Sequence, residues 1–235
     1  MTTPLLFTHG FASSSHAWAP LVDALSPSHR CITWDVRGHG PHDYPDDPAQ
    51  YSIPLTLADM EKLLDDSGAA RAVLVGHSMG GYLSLEFQRA HPERVAALIL
   101  IGTGPGFRKD EARDAWNNIC ERYVHIFETK GFDGLGKSAE LDGNVHRNVE
   151  GLKRAAHGIL RQRDAGVIDN LTNIGVPTLI IVGENDKPFL AGSDYMAAKI
   201  PGASKVVVTG APHAPMITHP DVVIPEITKF LGSVD

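Results

Sequence analysis

The chain has 235 residues, 43% of them hydrophobic, which suits one α/β domain with a modest insertion and a core that needs no disulfide or structural metal. A formal net charge of −7 with no basic cluster argues against a nucleic-acid partner. Cys31 and Cys120 lie far apart and read as free thiols, no apolar run reaches membrane-span length, and no charged leader opens the chain, so a soluble cytoplasmic protein without a membrane partner is expected.

Residues 4–8 read as a short buried strand that runs into His9-Gly10-Phe11 and a small polar loop. A helix over 17–25 follows, with Trp18, Leu21, Val22 and Leu25 on one face and Pro27 as its stop. Residues 30–34 form a second strand, broken by Asp35-Val36-Arg37-Gly38-His39-Gly40 and then by a stretch rich in proline and aspartate. Leu57, Met60, Leu63 and Leu64 predict a helix over 55–64, ended by Gly68, and the strand 72–75 leads into Gly76-His77-Ser78-Met79-Gly80. After a helix over 82–90, the strand 95–101 closes on Gly102-Thr103-Gly104-Pro105-Gly106. That is not G-x-G-x-x-G and opens no helix, so a dinucleotide cofactor is not expected.

From Phe107 the character changes. Residues 110–128 are amphipathic, with Ala112, Trp116, Ile119, Tyr123, Ile126 and Phe127 at helical spacing and Asp110 and Glu111 at the dipole-favoured start. Gly131, Gly134 and Gly136 make a flexible break, and a second helix is expected over 149–161. Strand character returns at 177–182, followed by Gly183-Glu184-Asn185-Asp186, a helix over 193–199, a strand over 205–209, Gly210-Ala211-Pro212-His213, and a closing helix over 222–231 with Pro225 near its start. The 12 histidines are scattered, without H-E-x-x-H or His/Cys pairs at ligand spacing, so no metal site is expected.

Strands alternating with helices predict a mostly parallel sheet covered by helices on both faces, an α/β fold. Functional groups of such sheets gather beyond the carboxyl ends of the strands, where Phe11, Ser78, Asp186 and His213 all fall. An apolar run, Gly-x-Ser-x-Gly and a helix in direct succession are the context of a nucleophile elbow. The turn strains the serine backbone, and residues two positions to either side must be small for strand and helix to close. A serine hydroxyl needs a base, and a histidine serves if an acid fixes its tautomer. Ser78, Asp186 and His213 stand in that chain order; Glu184 competes with Asp186, and His219 with His213.

These residues resemble the α/β-hydrolase family over nearly the whole chain. His9-Gly10-Phe11 resembles its oxyanion loop, residues 35–40 its D-x-R-G-H-G turn, residues 75–81 its elbow, residues 183–186 its acid turn and residues 210–213 its histidine loop. Pro212 departs from the more usual glycine, and the strands that precede the oxyanion strand in the family have no counterpart, so a sheet short at one edge is expected. The resemblance implies a core of residues 1–106 and 169–235 and a helical cap over 107–168, with Arg37 and Asp35 as a turn-stabilising pair. It implies hydrolysis of a small-molecule carboxylic ester without a cofactor: Ser78 attacks, His213 moves the proton, Asp186 orients His213, and the N–H groups of Phe11 and Met79 hold the oxyanion. Trp116, Phe127, Phe132 and Phe189 are the expected pocket walls. The same triad also serves lactonases, C–C bond hydrolases, cofactor-free haloperoxidase-like perhydrolases, some lyases and slow-turnover receptors, and the residues alone leave these open, as they leave the oligomeric state. The apolar stripe of 110–128 either covers Ser78 or packs only on the second cap helix.

Overall fold

The computed structural model describes residues 3–234. Its six strands are β1 (Leu5–Thr8), β2 (Cys31–Trp34), β3 (Ala72–His77), β4 (Val95–Ile101), β5 (Thr178–Gly183) and β6 (Ser204–Val208). They form one sheet of order β2-β1-β3-β4-β5-β6, and every neighbouring pair is parallel. Side chains alternate across it. Leu6, Leu74, Leu98, Leu100 and Ile180 face one core; Leu5, Phe7, Val73, Val75, Ile99, Ile101, Leu179 and Ile181 face the other.

Helices cover both faces. On the first lie α2 (Ile53–Asp66) and α3 (Met79–Ala90), and on the second α1 (Ala19–Leu25), with α4 (Asp110–Lys130), α5 (Val149–Ala155) and α6 (Gly166–Asn170) inserted between β4 and β5. After β5 come α7 (Lys187–Lys199) on the first face, then α8 (Pro215–Thr218) and α9 (Pro220–Leu231) on the second. The chain steps from β1 out to β2 and returns past β1 to β3, so the direction of winding reverses between β1 and β3. The loops leaving those strands diverge there and open a crevice. Those loops carry Phe11 and Ser78. Among the described residues no helix is long and apolar enough to cross a membrane.

Four expectations needed correction. Helix α7 starts at Lys187, directly after Asp186, because Pro188 suits a first turn; this brings Phe189 back toward the strand ends. The expected continuous helix over 149–161 is α5 followed by a π turn at Ala156–Leu160. The backbone of Tyr51 presses on that turn, where a Cβ on Gly158 would stand 2.0 Å from the Tyr51 carbonyl oxygen. Pro225 is the sixth residue of α9, well inside it, where its missing N–H gives up the bond to the Asp221 carbonyl. Arg37 pairs with Asp59 of α2 (2.5 and 2.8 Å) and not with Asp35, whose carboxylate instead accepts the Ser15 N–H at 2.7 Å.

Candidate active site

Ser78 lies between β3 and α3 with φ 52° and ψ −117°, a left-handed conformation that costs a non-glycine residue on the order of 1–3 kcal/mol. The surroundings hold it there. Its N–H donates to the Ile101 carbonyl (2.9 Å), and its own carbonyl accepts from the Thr103 hydroxyl (2.7 Å) and the Gly81 N–H (3.0 Å). A Cβ on Gly76 would sit 2.4 Å from the Gly80 carbonyl oxygen, and one on Gly80 would sit 2.0 Å from the Thr8 carbonyl oxygen. The glycines at those two positions are therefore what lets α3 lie against β3 and β1.

Asp186 follows β5 and is buried; His213 follows β6 and is partly exposed. The His213 Nδ1–H donates to Asp186 Oδ2 at 2.8 Å, which leaves Nε2 with its lone pair. Phe189 stacks on the His213 ring at 4.8 Å and 23°, and the His213 carbonyl accepts from His77 Nε2–H at 3.0 Å. Burial, before any other influence, pushes His77 well below the ordinary histidine range, so it is a neutral donor at neutral pH. His219, the competing histidine, precedes α9, and its ring bonds to the Thr218 hydroxyl at 2.8 Å, not to Asp186.

Two adjoining cavities meet at Ser78 and share Trp116, Ile119, Leu160, Pro188 and Phe189 as walls. One, of about 480 Å³, is also lined by Phe11, Tyr123, Phe127, Asp186 and His213. The other, of about 360 Å³, is not lined by His213 and is lined also by Met79, Tyr82, Phe107, Ile159 and Gln162. Among the described residues nothing accepts from the N–H groups of Phe11 or Met79, which leaves both free for a ligand. Phe132 lines neither cavity. It stacks instead on His146 (6.2 Å, 22°), because the 3₁₀ turn Gly131–Gly134 ends α4 and redirects the chain.

Three histidines hold the Phe11 loop; His9 and His39 are readable from the sequence as structural neighbours of the site, and His146 is the one that sequence reasoning missed. His9 Nδ1–H donates to the Gly10 carbonyl (2.7 Å) while its Nε2 accepts the Val36 N–H (3.0 Å). His39 Nε2 accepts the Ala12 N–H (3.0 Å), and His146 Nε2–H donates to the Ala12 carbonyl (3.1 Å). His146 Nδ1 in turn accepts the Gly40 N–H at 3.1 Å. Both backbone groups of Ala12, itself at φ 57°, are thus taken by histidines, one of them from the helical insertion. Burial lowers all three rings, His9 to about 4, and keeps them neutral. No motif announces His146, since only the tertiary fold brings it to Ala12.

Residues 3–129 match the model of the alpha/beta hydrolase fold family, more than half of the chain. The chain belongs to the alpha/beta hydrolase family. It is 27% identical over 245 residues to a putative 2-succinyl-6-hydroxy-2,4-cyclohexadiene-1-carboxylate synthase of Bacillus subtilis, covering 96% of this chain and 89% of that one. A pimeloyl-[acyl-carrier protein] methyl ester esterase of Aliivibrio salmonicida is 26% identical over 256 residues, covering 98% and 93%. Among solved structures, MenH from S. aureus superposes with a TM-score of 0.89 at 22% identity, covering 100% of this chain and 95% of the other, which shows the shared fold. Other alpha/beta hydrolases of similar shape include an esterase from Thermogutta terrifontis, 27% identical with a TM-score of 0.82 over 100% of this chain and 91% of that one. Relatives named as ester hydrolases support hydrolysis as the chemistry of this family member.

Proposed function

We propose that this protein hydrolyses a small, uncharged carboxylic ester through an acyl-enzyme on Ser78. The observation that carries the reading is the His213 Nδ1–Asp186 bond of 2.8 Å beside the cavity that Ser78 lines. With Nδ1 protonated, His213 Nε2 is the lone pair that takes the Ser78 proton as the oxygen attacks the carbonyl. The N–H groups of Phe11 and Met79 receive the developing oxyanion, and losing one such donor typically costs about 10²–10³ in turnover. His213 then gives its proton to the leaving alcohol, and a water hydrolyses the acyl-enzyme. No step needs a cofactor.

The two lobes assign the halves of the ester. The leaving oxygen takes its proton from His213, so the alcohol part belongs in the lobe that His213 lines and the acyl part in the lobe that it does not. Among the described residues neither lobe is lined by Lys or Arg. The Bacillus relative is named for a product that carries a carboxylate, and an acid buried against these walls has no cation to pair with. That favours a neutral acyl group here. Residues 107–168 are read as the cap: α4 supplies Trp116 and Ile119 to both lobes, and the core comprises 1–106 and 169–235.

A panel of p-nitrophenyl esters tests the reading. Sustained turnover by the wild type, loss of at least about 10⁴-fold in kcat for Ser78→Ala, and fluorophosphonate labelling of the wild type alone are expected. Labelling that persists in Ser78→Ala would overturn the assignment, and a single slow acylation without turnover would make the protein a receptor.

A further inference from the structure

The lobe assigned to the acyl group is mostly apolar, and one of its few polar side chains has an acceptor without a partner. Gln162 is 8% exposed, lines the lobe, and among the described residues nothing donates to its Oε1. The other polar groups along this wall are engaged: the Thr103 hydroxyl donates to the Ser78 carbonyl, and the Tyr82 phenol sits beside Glu86. Burial, reinforced by the Glu86 carboxylate, raises the phenol, so Tyr82 keeps its proton beside Glu86. Glu86 Oε2 is held in turn by Arg89 at 2.8 Å.

Gln162 is also held in place. Asn117 of α4 clamps its backbone from both sides, accepting the Gln162 N–H at 2.9 Å and donating to its carbonyl at 3.0 Å. Two residues earlier, the Leu160 carbonyl accepts the Trp116 indole N–H at 3.0 Å. The side chain then reaches Gly106, where an added Cβ would meet Gln162 Oε1 at 2.8 Å and the Tyr82 ring at 3.1 Å. A desolvated acceptor on a backbone held by three hydrogen bonds, in a mostly apolar lobe, is left uncompensated by any plain alkyl chain.

We propose that the acyl substrate of this lobe is a chain ending in a hydroxyl group, whose proton Gln162 Oε1 accepts. This rests on the ester reading and narrows it to ω-hydroxyacyl esters. A hydroxyl suits the site better than other donors. An ammonium would need a countercharge that the apolar walls do not offer, and a hydroxyl can also accept if the Gln162 amide presents its nitrogen. The cavity of about 360 Å³ is of the size that small ligands occupy.

The test compares matched p-nitrophenyl esters of alkyl and ω-hydroxyalkyl acids over chain lengths of about six to ten carbons. For the wild type, one chain length is expected at which the hydroxy ester exceeds its alkyl match by roughly tenfold in kcat/KM. In Gln162→Met, which keeps the side-chain length, the hydroxy ester should lose that advantage and the alkyl ester should gain. A loss of packing alone would lower both together. Equal rates for both series at every length in the wild type overturn the proposal and leave the ester reading standing, whether or not the variant folds. A hydroxy preference that survives unchanged in Gln162→Met overturns the role of Gln162. Absence of turnover with either series overturns the ester reading itself, and this proposal with it.

Discussion

Ser78 and Trp116 line the same two cavities, one carried by a strand-end turn and the other by the inserted helix α4. Ten of the twelve residues of α3, which follows Ser78, are buried, against two of the twenty-one of α4, Cys120 and Phe127. Backbone touches backbone around Ser78, and the glycines there leave no room for a single added carbon. Around Trp116 the insertion is joined to itself by exposed ion pairs such as Arg161–Glu121 (3.0 Å) and Lys153–Glu128 (3.2 Å), a kind of contact worth little. The half that bears the proposed chemistry is therefore rigid by close packing. The insertion packs on the core through a narrower apolar face that includes Cys120, Leu152, Ile159 and Leu160, and most of α4 is left facing solvent, which places it among the parts of a fold that open more easily.

The largest test of that contrast is a pair of glycine substitutions. In Gly80→Ala the new Cβ meets backbone at 2.0 Å, so α3 must part from β1, at an expected cost of about 4 kcal/mol or more. In Gly136→Ala the new Cβ meets only the end of the Leu141 side chain, at 3.5 Å, and the expected change is within about 1 kcal/mol, on the stabilising side. Urea unfolding of the two variants measures both. Similar losses in the two would break the comparison.

The same contrast decides what was legible in the chain. Gly76, Ser78 and Gly80 were readable because close backbone approach admits only glycine and announces itself in the residue type. The strands were readable because a parallel sheet buried on both faces demands unbroken apolar runs such as 95–101. Phe132 was misplaced because its apolar character says that it is buried, not against what. The π turn at Ala156–Leu160 packs against Tyr51, more than a hundred residues away, and the ring of neutral histidines depends on contacts between His39 and His146 that no spacing encodes. Gln162 lay in a stretch without any motif, and only its burial without a partner sets it apart.

A pH series sharpens the comparison at an intermediate size. His9, His39, His77 and His146 are held neutral in the fold chiefly by burial and protonate in the unfolded chain near 6.5. Below that pH the unfolded state binds more protons, so the stability is fully present above 6.5 and drains as pH falls toward 4. His9 alone, brought from 6.5 to about 4, corresponds to roughly 3 kcal/mol. Because His146 joins the insertion to Ala12 and Gly40, His146→Gln should lower stability at neutral pH and flatten the acid slope. Urea midpoints taken between about pH 7.5 and 4.5 are the measurement. A wild-type profile that stays flat over that range would show that the buried rings do not carry this load.

The smallest expected effect lies on the insertion itself, where three aromatic residues separate shaping the cavity from supporting it. Trp116 lines both lobes, and its indole N–H holds the Leu160 carbonyl at 3.0 Å. Phe127 lines only the lobe that His213 lines, and Phe132 lines neither. Cutting Trp116 to alanine removes a wall on the acyl side, and one methylene in such a pocket is worth about 1–3 kcal/mol, so a shift of about tenfold toward longer acyl chains is expected. Phe127→Ala should leave acyl-length preference in place and change the ranking of alcohols, since its wall borders only the leaving group. Phe132→Ala should move neither profile. It should instead cost stability, because the ring it loses is stacked on His146, the residue that carries the Ala12 carbonyl. The readout is kcat/KM across acyl lengths and across alcohols for the wild type and the three variants, with thermal midpoints alongside. If Phe132→Ala shifted the acyl profile as far as Trp116→Ala, substrate choice would depend on how the whole insertion sits and not on which side chains touch the lobes, and the separation between shaping and support would fail.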